Sequence, residues 1–231
     1  MNTLLSIENL NKHFDGVVAV DNLSLSVVQG TITGIFGENG AGKSTLFNLI
    51  SGFEKPDTGI VLFKGEDITH KSVLFRAQKG MGRLFQAPRI FFDVSVYENL
   101  IAAAKNSTGH HFYNYIIKRS IVKKEAMQDA QRANDILKQI NLADKAYLKA
   151  YELSVGERKL LSLGCLLMNE AQLMLLDEPF AGLNEKMIEQ LKNTLLSIKQ
   201  QGTTLLVIEH NMKAMGSICE YIIEMKQGKI I

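Results

Sequence analysis

Gly37-Glu38-Asn39-Gly40-Ala41-Gly42-Lys43-Ser44-Thr45 is the stretch whose reading decides the fold. It fits the phosphate-loop pattern G-x-x-x-x-G-K-[ST]. Its three glycines admit backbone conformations that other residues resist. In such a loop, successive N–H groups can point into one concavity and hold a phosphate. Lys43 is then placed to reach the β- and γ-phosphates, and the Ser44 hydroxyl to bind Mg²⁺. The flanks agree with this reading. Thr31 to Phe36 is β-branched and apolar, which predicts a buried strand. Ser44 to Ser51 predicts a helix beginning under the loop, with its free N–H groups and dipole favouring an anion. The bland alternative, a glycine-rich turn, explains neither flank.

The 231 residues are 46% hydrophobic and 22% charged, with a net charge of +2. This is the composition of a globular chain with a real core, and nothing in the charge points to a nucleic-acid surface. The two cysteines, Cys165 and Cys219, form no C-x-x-C pair, which suits a reducing, cytosolic home. No apolar run reaches the ~20 residues that a membrane helix needs, and the N-terminus does not read as a signal peptide. Any action at a membrane requires another chain to do the spanning.

Residues 4 to 36 predict strands, with Leu23-Ser24-Leu25-Ser26-Val27 alternating like a half-buried antiparallel strand. Phe14, on a turn ahead of the phosphate loop, suits either an adenine platform or a strand-end core residue. After the first helix, Gly52 is a cap, Pro56-Asp57-Thr58-Gly59 a turn, and Ile60 to Phe63 a strand. Ser72 to Lys79 predicts a short helix. Gly82 to Gln86 predicts a buried strand with a polar end, where α/β folds meet their ligands.

From Ala87 the periodicity is helical, over Tyr97 to Ala104 and Lys123 to Ile140. The irregular insert around 105–120 contains His110-His111, a pair more in keeping with a surface than with a metal site. Residues 87–165 therefore predict a helical subdomain inserted into a core made of 1–86 and 166–231.

Ser154 and Glu157 form a capping-box pattern at the start of a helix, whose N–H groups could also face an anion. Leu173 to Leu176 is an apolar strand closed by two carboxylates. Asp177 suits a Mg²⁺ ligand, and Glu178 suits a general base that polarises water. Thr203 to Ile208 predicts a strand that delivers His210 to the same sheet edge.

Taken together, these motifs resemble the ATP-binding subunit of ABC transporters, over essentially the whole chain. Residues 37–45 look like Walker A, Leu173 to Asp177 like Walker B, and Leu153-Ser154-Val155-Gly156-Glu157 like the signature L-S-G-G-Q. Ala181 to Asn184 resembles the D-loop. The resemblance implies an α/β phosphate-loop NTPase core with an antiparallel β subdomain and the inserted helical one. It implies catalytic roles for Glu178, Gln86 and His210, with Gln86 also near Mg²⁺. It further implies ATP contacts from Phe14, Val20, the loop residues Gly37, Glu38, Asn39, Gly40, Ala41, Gly42, Lys43, Ser44 and Thr45, and Ser154 to Glu157 of a second ATPase subunit. That second subunit is an identical chain or a related one. Two departures stand out: Val155 replaces the first signature glycine, and Glu157 replaces the glutamine.

Within the family, Asn11 to Val20, Phe85-Gln86, Arg89-Ile90-Phe91, Ser95 to Leu100 and Glu209 to Lys213 resemble branched-chain amino-acid importer ATPases. The cassette of a lipopolysaccharide exporter looks similar, and soluble ABC-type ATPases form a third class. The family pattern continues past the position of Ile231. The implied setting is the cytoplasmic face of a cell membrane, against permease subunits, with a solute-binding protein as an indirect partner and no nucleic acid.

Overall fold

The computed structural model describes residues 2–105 and 119–231, with the side chains of 119–122 also outside the description. The chain divides into two compact units, residues 1–86 with 171–231, and residues 87–170. The return to the first unit comes a few residues later than the expected 165–166. The helix that starts after Ser154 runs unbroken to Met168, so the crossing waits for it to end.

In the first unit, β1 (Thr3–Phe14) and β2 (Val17–Val28) form a long antiparallel hairpin. Its turn, Asp15-Gly16, has positive φ at both positions, as a two-residue loop between twisted strands prefers. Leu23, Leu25 and Val27 point inward while Ser24 and Ser26 face solvent. β4 (Thr58–Phe63) and β5 (Glu66–Asp67) complete a four-stranded sheet in the order β2-β1-β4-β5.

The other sheet contains β3 (Ile32–Phe36), β6 (Met81–Leu84), β7 (Leu173–Asp177), β8 (Thr204–Ile208), β9 (Tyr221–Lys226) and β10 (Lys229–Ile230), in the order β10-β9-β3-β8-β7-β6. β9, β3, β8, β7 and β6 are parallel, so their C-terminal ends share one edge. β6 stops at Leu84, two residues short of the expectation, and leaves Phe85 and Gln86 beyond the sheet edge.

Helix α1 (Lys43–Ser51) is part of the core between the two sheets. Leu46, Phe47, Leu49 and Ile50 have no exposed area and pack with Leu5, Ile7, Val61, Leu175 and Met225. Its C-terminal carbonyls meet a buried cation. Arg76, on α2 (Val73–Gln78), donates from Nη1 to Leu49 O (2.7 Å) and Ile50 O (2.6 Å), and from Nη2 to Thr69 O (2.9 Å). Burial pulls its pKa down to about 10, opposed by the charge of Asp67. A guanidinium at a helix C-terminus complements the negative end of the dipole. On the opposite sheet face, α6 (Glu185–Gln200) and α7 (Met212–Gly216) follow β7 and β8. Gly34 has no room for a side chain there, because Met215 Cε lies 2.3 Å from where its Cβ would be.

In the second unit, α3 (Val96–Ala102), α4 (Arg119–Gln139) and α5 (Val155–Met168) pack together. They meet at Gly164, where a Cβ would press on Leu100 and Ile140 at 2.9 Å. The insert segment 106–118, with His110 and His111, lies outside the described residues. Among the described residues, no helix is long and apolar enough to cross a membrane. Both cysteines are free. Burial pushes each thiol up to about 12, the charge of Glu220 adding to the effect at Cys219, which makes both inert at neutral pH.

Arg76→Met should lower stability by about 2–4 kcal/mol, because it strands buried carbonyls that the guanidinium now satisfies. The check is urea unfolding, read as a lower midpoint at unchanged slope.

Candidate active site

The phosphate loop runs from the end of β3 into α1, and its shape is enforced by what lies behind it. A Cβ on Gly37 would come within 2.1 Å of Met225 O, and one on Gly42 within 2.1 Å of Ala19 O. Gly42 also has φ +99 and caps α1 without a side-chain hydrogen bond, so the first helical amides stay available. A second support was not foreseen from the sequence. The β9–β10 turn reaches the loop, with Gly228 N donating to Ala41 O (3.0 Å) and Gly228 O accepting from Asp21 N (3.0 Å).

Lys43 is buried and folds back over the loop, where Nζ donates to Gly37 O (2.7 Å) and Glu38 O (2.8 Å). Burial pulls its pKa below the usual lysine range, while the charges of Glu178 and Asp177 pull the other way. The loop and the acidic strand end therefore belong to one electrostatic site. Ser44 is exposed in the first turn of α1.

The strand ends converge as expected from a parallel sheet. Glu178 Oε2 accepts from Gln86 Nε2 (2.8 Å), and Glu178 Oε1 lies 2.9 Å from His210 Nε2. Gln86 and His210, from beyond the ends of β6 and β8, thus meet on the carboxylate of the residue that follows β7. Glu178 itself has φ +49, a conformation costing a non-glycine residue on the order of 1–3 kcal/mol. Its amide is anchored to Ile208 O (2.9 Å), which holds the strained turn in place.

Two further charged residues support the site, and sequence reasoning missed both. Glu209 is buried, with Oε1 accepting from Phe180 N (2.7 Å) and Oε2 from His210 N (3.0 Å) and Asn211 N (3.3 Å). It ties the segment after Glu178 to the segment carrying His210. Arg83, on β6, donates from Nη2 to Asp177 Oδ2 (2.8 Å). The available signal was a charged residue within or directly after an apolar strand.

Phe14 is 41% exposed at the end of β1, with Lys12 Nζ 5.0 Å from its ring centre. It is a surface platform rather than a core residue. Val20, expected at the nucleotide, has no exposed area here and packs in the core. It is out of step with inward-facing Leu23, Leu25 and Val27, and the register shift between Leu10 and Lys12, with Asn22 at φ +46, turns it inside.

Ser154 to Glu157 lie in the second unit at the start of α5. The capping box is formed: Ser154 N and Oγ both donate to Glu157 Oε2 (2.9 Å each), and Glu157 N donates to Ser154 Oγ (3.4 Å). This occupies the Ser154 and Glu157 amides and leaves those of Val155 and Gly156 for an anion, fewer than the sequence suggested. Val155 is exposed and Gly156 buried. Lys145 Nζ donates to Glu157 Oε1. Partial burial works against the Glu157 charge, but Lys145 and the Ser154 donors outweigh it and hold its pKa below the usual range.

The groups that could hold a divalent cation are the Ser44 hydroxyl, the Asp177 carboxylate and the Gln86 amide oxygen. These hard oxygen donors fit Mg²⁺, with phosphate oxygens and water completing the shell. Among the described residues, no three His, Cys, Asp or Glu side chains converge as a ready-made metal cluster.

Comparison with known proteins agrees with this geometry. Residues 20–181 match the family described as "ABC transporter". The chain is 36% identical over 228 residues to "Probable branched-chain amino acid transport ATP-binding protein LivG" of Methanocaldococcus jannaschii, covering 99% of this chain and 88% of that one. It is 31% identical over 226 residues to "High-affinity branched-chain amino acid transport ATP-binding protein BraF" of Pseudomonas aeruginosa, covering 97% and 89%. A crystal structure of the ADP conformation of an ATP-binding cassette of an ABC transporter superposes with a TM-score of 0.85 at 33% identity, covering 100% of this chain and 90% of that one.

Two glycine substitutions separate conformational cost from collision. Gly40→Ala meets nothing within 4 Å and should cost about 1–2 kcal/mol with ATP binding retained. Gly42→Ala must displace β2 or the helix start and should weaken ATP binding at least about tenfold. Isothermal calorimetry with ATP measures the two affinities, and urea unfolding the conformational cost.

Proposed function

Because the chain belongs to the ABC transporter family, we propose that this ATPase energises a membrane importer of branched-chain amino acids or related small solutes. The observation that carries the reading is the Glu178 carboxylate, held between Gln86 and His210 beside a phosphate loop. The two relatives described above, ATP-binding proteins of branched-chain amino acid transport, support the cargo class.

ATP sits with its phosphates on the loop amides from Gly37 to Thr45 and on Lys43, and its adenine on Phe14. Lys43 exchanges its carbonyl partners for phosphate oxygens, which are stronger acceptors for an ammonium. Glu178 accepts a hydrogen bond from the attacking water, His210 faces the γ-phosphate, and Gln86 orients the water. Ser44 and Asp177, with Gln86 nearby, would hold a Mg²⁺ ion, which would supply neutralisation of the phosphate charge. In-line attack then depends on positioning and charge compensation more than on covalent chemistry.

A second ATPase subunit, identical or related, supplies Ser154, Val155, Gly156 and Glu157 to the γ-phosphate from across a head-to-tail dimer. Closure on ATP and reopening after hydrolysis drive the transport cycle. The second unit exposes Phe91, Phe92, Tyr147, Leu148 and Tyr151, an apolar set suited to a permease helix at the cytoplasmic membrane face. A solute-binding protein delivers cargo to that permease from the other side.

Glu178→Gln should cut ATP turnover by at least about 100-fold, the usual share of a general base. Its calorimetric ATP affinity should stay near that of the parent, and it should accumulate as an ATP-bound dimer in sedimentation. Parent-rate turnover would overturn the assignment of the base. Lys43→Ala should weaken ATP binding by about tenfold or more through loss of a charge-assisted phosphate contact. For the cargo, affinity capture from membranes followed by peptide sequencing should recover permeases that take up branched-chain amino acids.

A further inference from the structure

Arg83 is only 8% exposed, yet it is built into the site more elaborately than neutralising Asp177 requires. Its guanidinium forks between two elements. Nη2 donates to Asp177 Oδ2 (2.8 Å) at the end of β7, and Nη1 donates to Asn48 Oδ1 (2.7 Å) and Ser51 Oγ (3.1 Å) on α1. Three rings surround it, with the centroids of Phe85, Phe47 and Phe53 at 4.9, 5.7 and 5.9 Å. Its buried Nε has no hydrogen-bond partner. The group is therefore oriented for its two forks, at the expense of its remaining donor.

The helical partners reveal what the forks align. Asn48 and Ser51 follow Ser44 by four and seven residues, so the three share one face of α1. The same face thus carries the Ser44 hydroxyl at one end and the Arg83 anchors farther along. A single planar cation locks the Asp177 carboxylate to the helix that bears Ser44, and leaves Oδ1 of Asp177 for a cation.

We propose that Arg83 is a positioning residue for the divalent cation, holding Asp177 in register with Ser44 before the metal–nucleotide arrives. This rests on the reading of Asp177 as a Mg²⁺ ligand. A plain neutralising ion pair would affect folding and nucleotide binding alike, with or without metal. A positioning role is felt only when the metal is present.

The test compares binding of a non-hydrolysable ATP analogue in Mg²⁺ and in EDTA. Arg83→Met should lose about 10–100-fold of its affinity in Mg²⁺, the usual cost of removing a support behind a metal ligand. Its affinity in EDTA should stay within about twofold, a change of about 0.4 kcal/mol. With Mn²⁺ in place of Mg²⁺, the free-ion paramagnetic resonance signal should show the same loss directly. Arg83→Lys keeps the charge without the fork and should show the same selective loss, and Asn48→Ala a smaller one. These two variants carry the test if Arg83→Met does not fold. Equal losses in Mg²⁺ and EDTA, no loss, or a gain in Mg²⁺ would each overturn the proposal. Asp177→Asn separates the two readings. If it leaves the Mg²⁺ dependence intact, the metal assignment itself fails; if it abolishes that dependence while the Arg83 variants do not, only the positioning role fails.

Discussion

The site depends on the placement of one nine-residue helix, α1, which is fixed at both ends and along its side. At its C-terminus the Arg76 guanidinium takes up the Leu49 and Ile50 carbonyls and answers the negative end of the dipole. At its N-terminus the amides of the glycine-framed loop remain uncapped by any side chain. The positive end is thus left for an anion, while the negative end is satisfied internally. Apolar packing on Leu46, Phe47, Leu49 and Ile50 prevents the helix from rotating, and the Arg83 forks set its polar stripe against Asp177.

The remaining geometry of the candidate site is a consequence of parallel strands. β3, β8, β7 and β6 are neighbours running in one direction, so the residues that follow them emerge at one edge. Gln86, Glu178 and His210 are 92 and 32 residues apart in their two contacts and still converge. The left-handed backbone at Glu178 turns the chain immediately after Asp177, so adjacent carboxylates take different partners. One goes to Arg83 and the other to Gln86 and His210. Buried Glu209 fixes that separation by holding the amides of Phe180, His210 and Asn211.

What was legible in the sequence was what is local. The glycine-framed loop, the alternation of Leu23 to Val27, the capping box of Ser154 and Glu157 and the apolar strand before Asp177 each declare themselves within a few residues. The order of motifs then carried the fold and the membership of the site. Arg76, Arg83 and Glu209 were not legible, because each depends on at least one partner far along the chain: the Leu49 and Ile50 carbonyls for Arg76, the Asp177 and Asn48 side chains for Arg83, and the Phe180 amide for Glu209. The bracing of Ala41 by Gly228 was invisible for the same reason, since it joins positions far apart through main-chain atoms. Val20 lies inside because the irregular register around Asn22 breaks the alternation of Leu23 to Val27, a shift that the residue pattern does not announce. The late boundary at Ala171 reflects a helix that composition does not end at 165.

The Glu157 departure is resolved by a residue outside the signature. A carboxylate at a helix start is well placed for the dipole, but under the proposed dimer it would face a triphosphate, where a neutral glutamine would not repel. Lys145 changes that balance. The ion pair with Glu157 leaves the segment with no net charge from these two side chains, and the second carboxylate oxygen is occupied by Ser154. The repulsion is cancelled locally, and the capping box that shapes the amides of Val155 and Gly156 is kept. The same carboxylate therefore orders the helix start without closing it to an anion, provided that Lys145 is there.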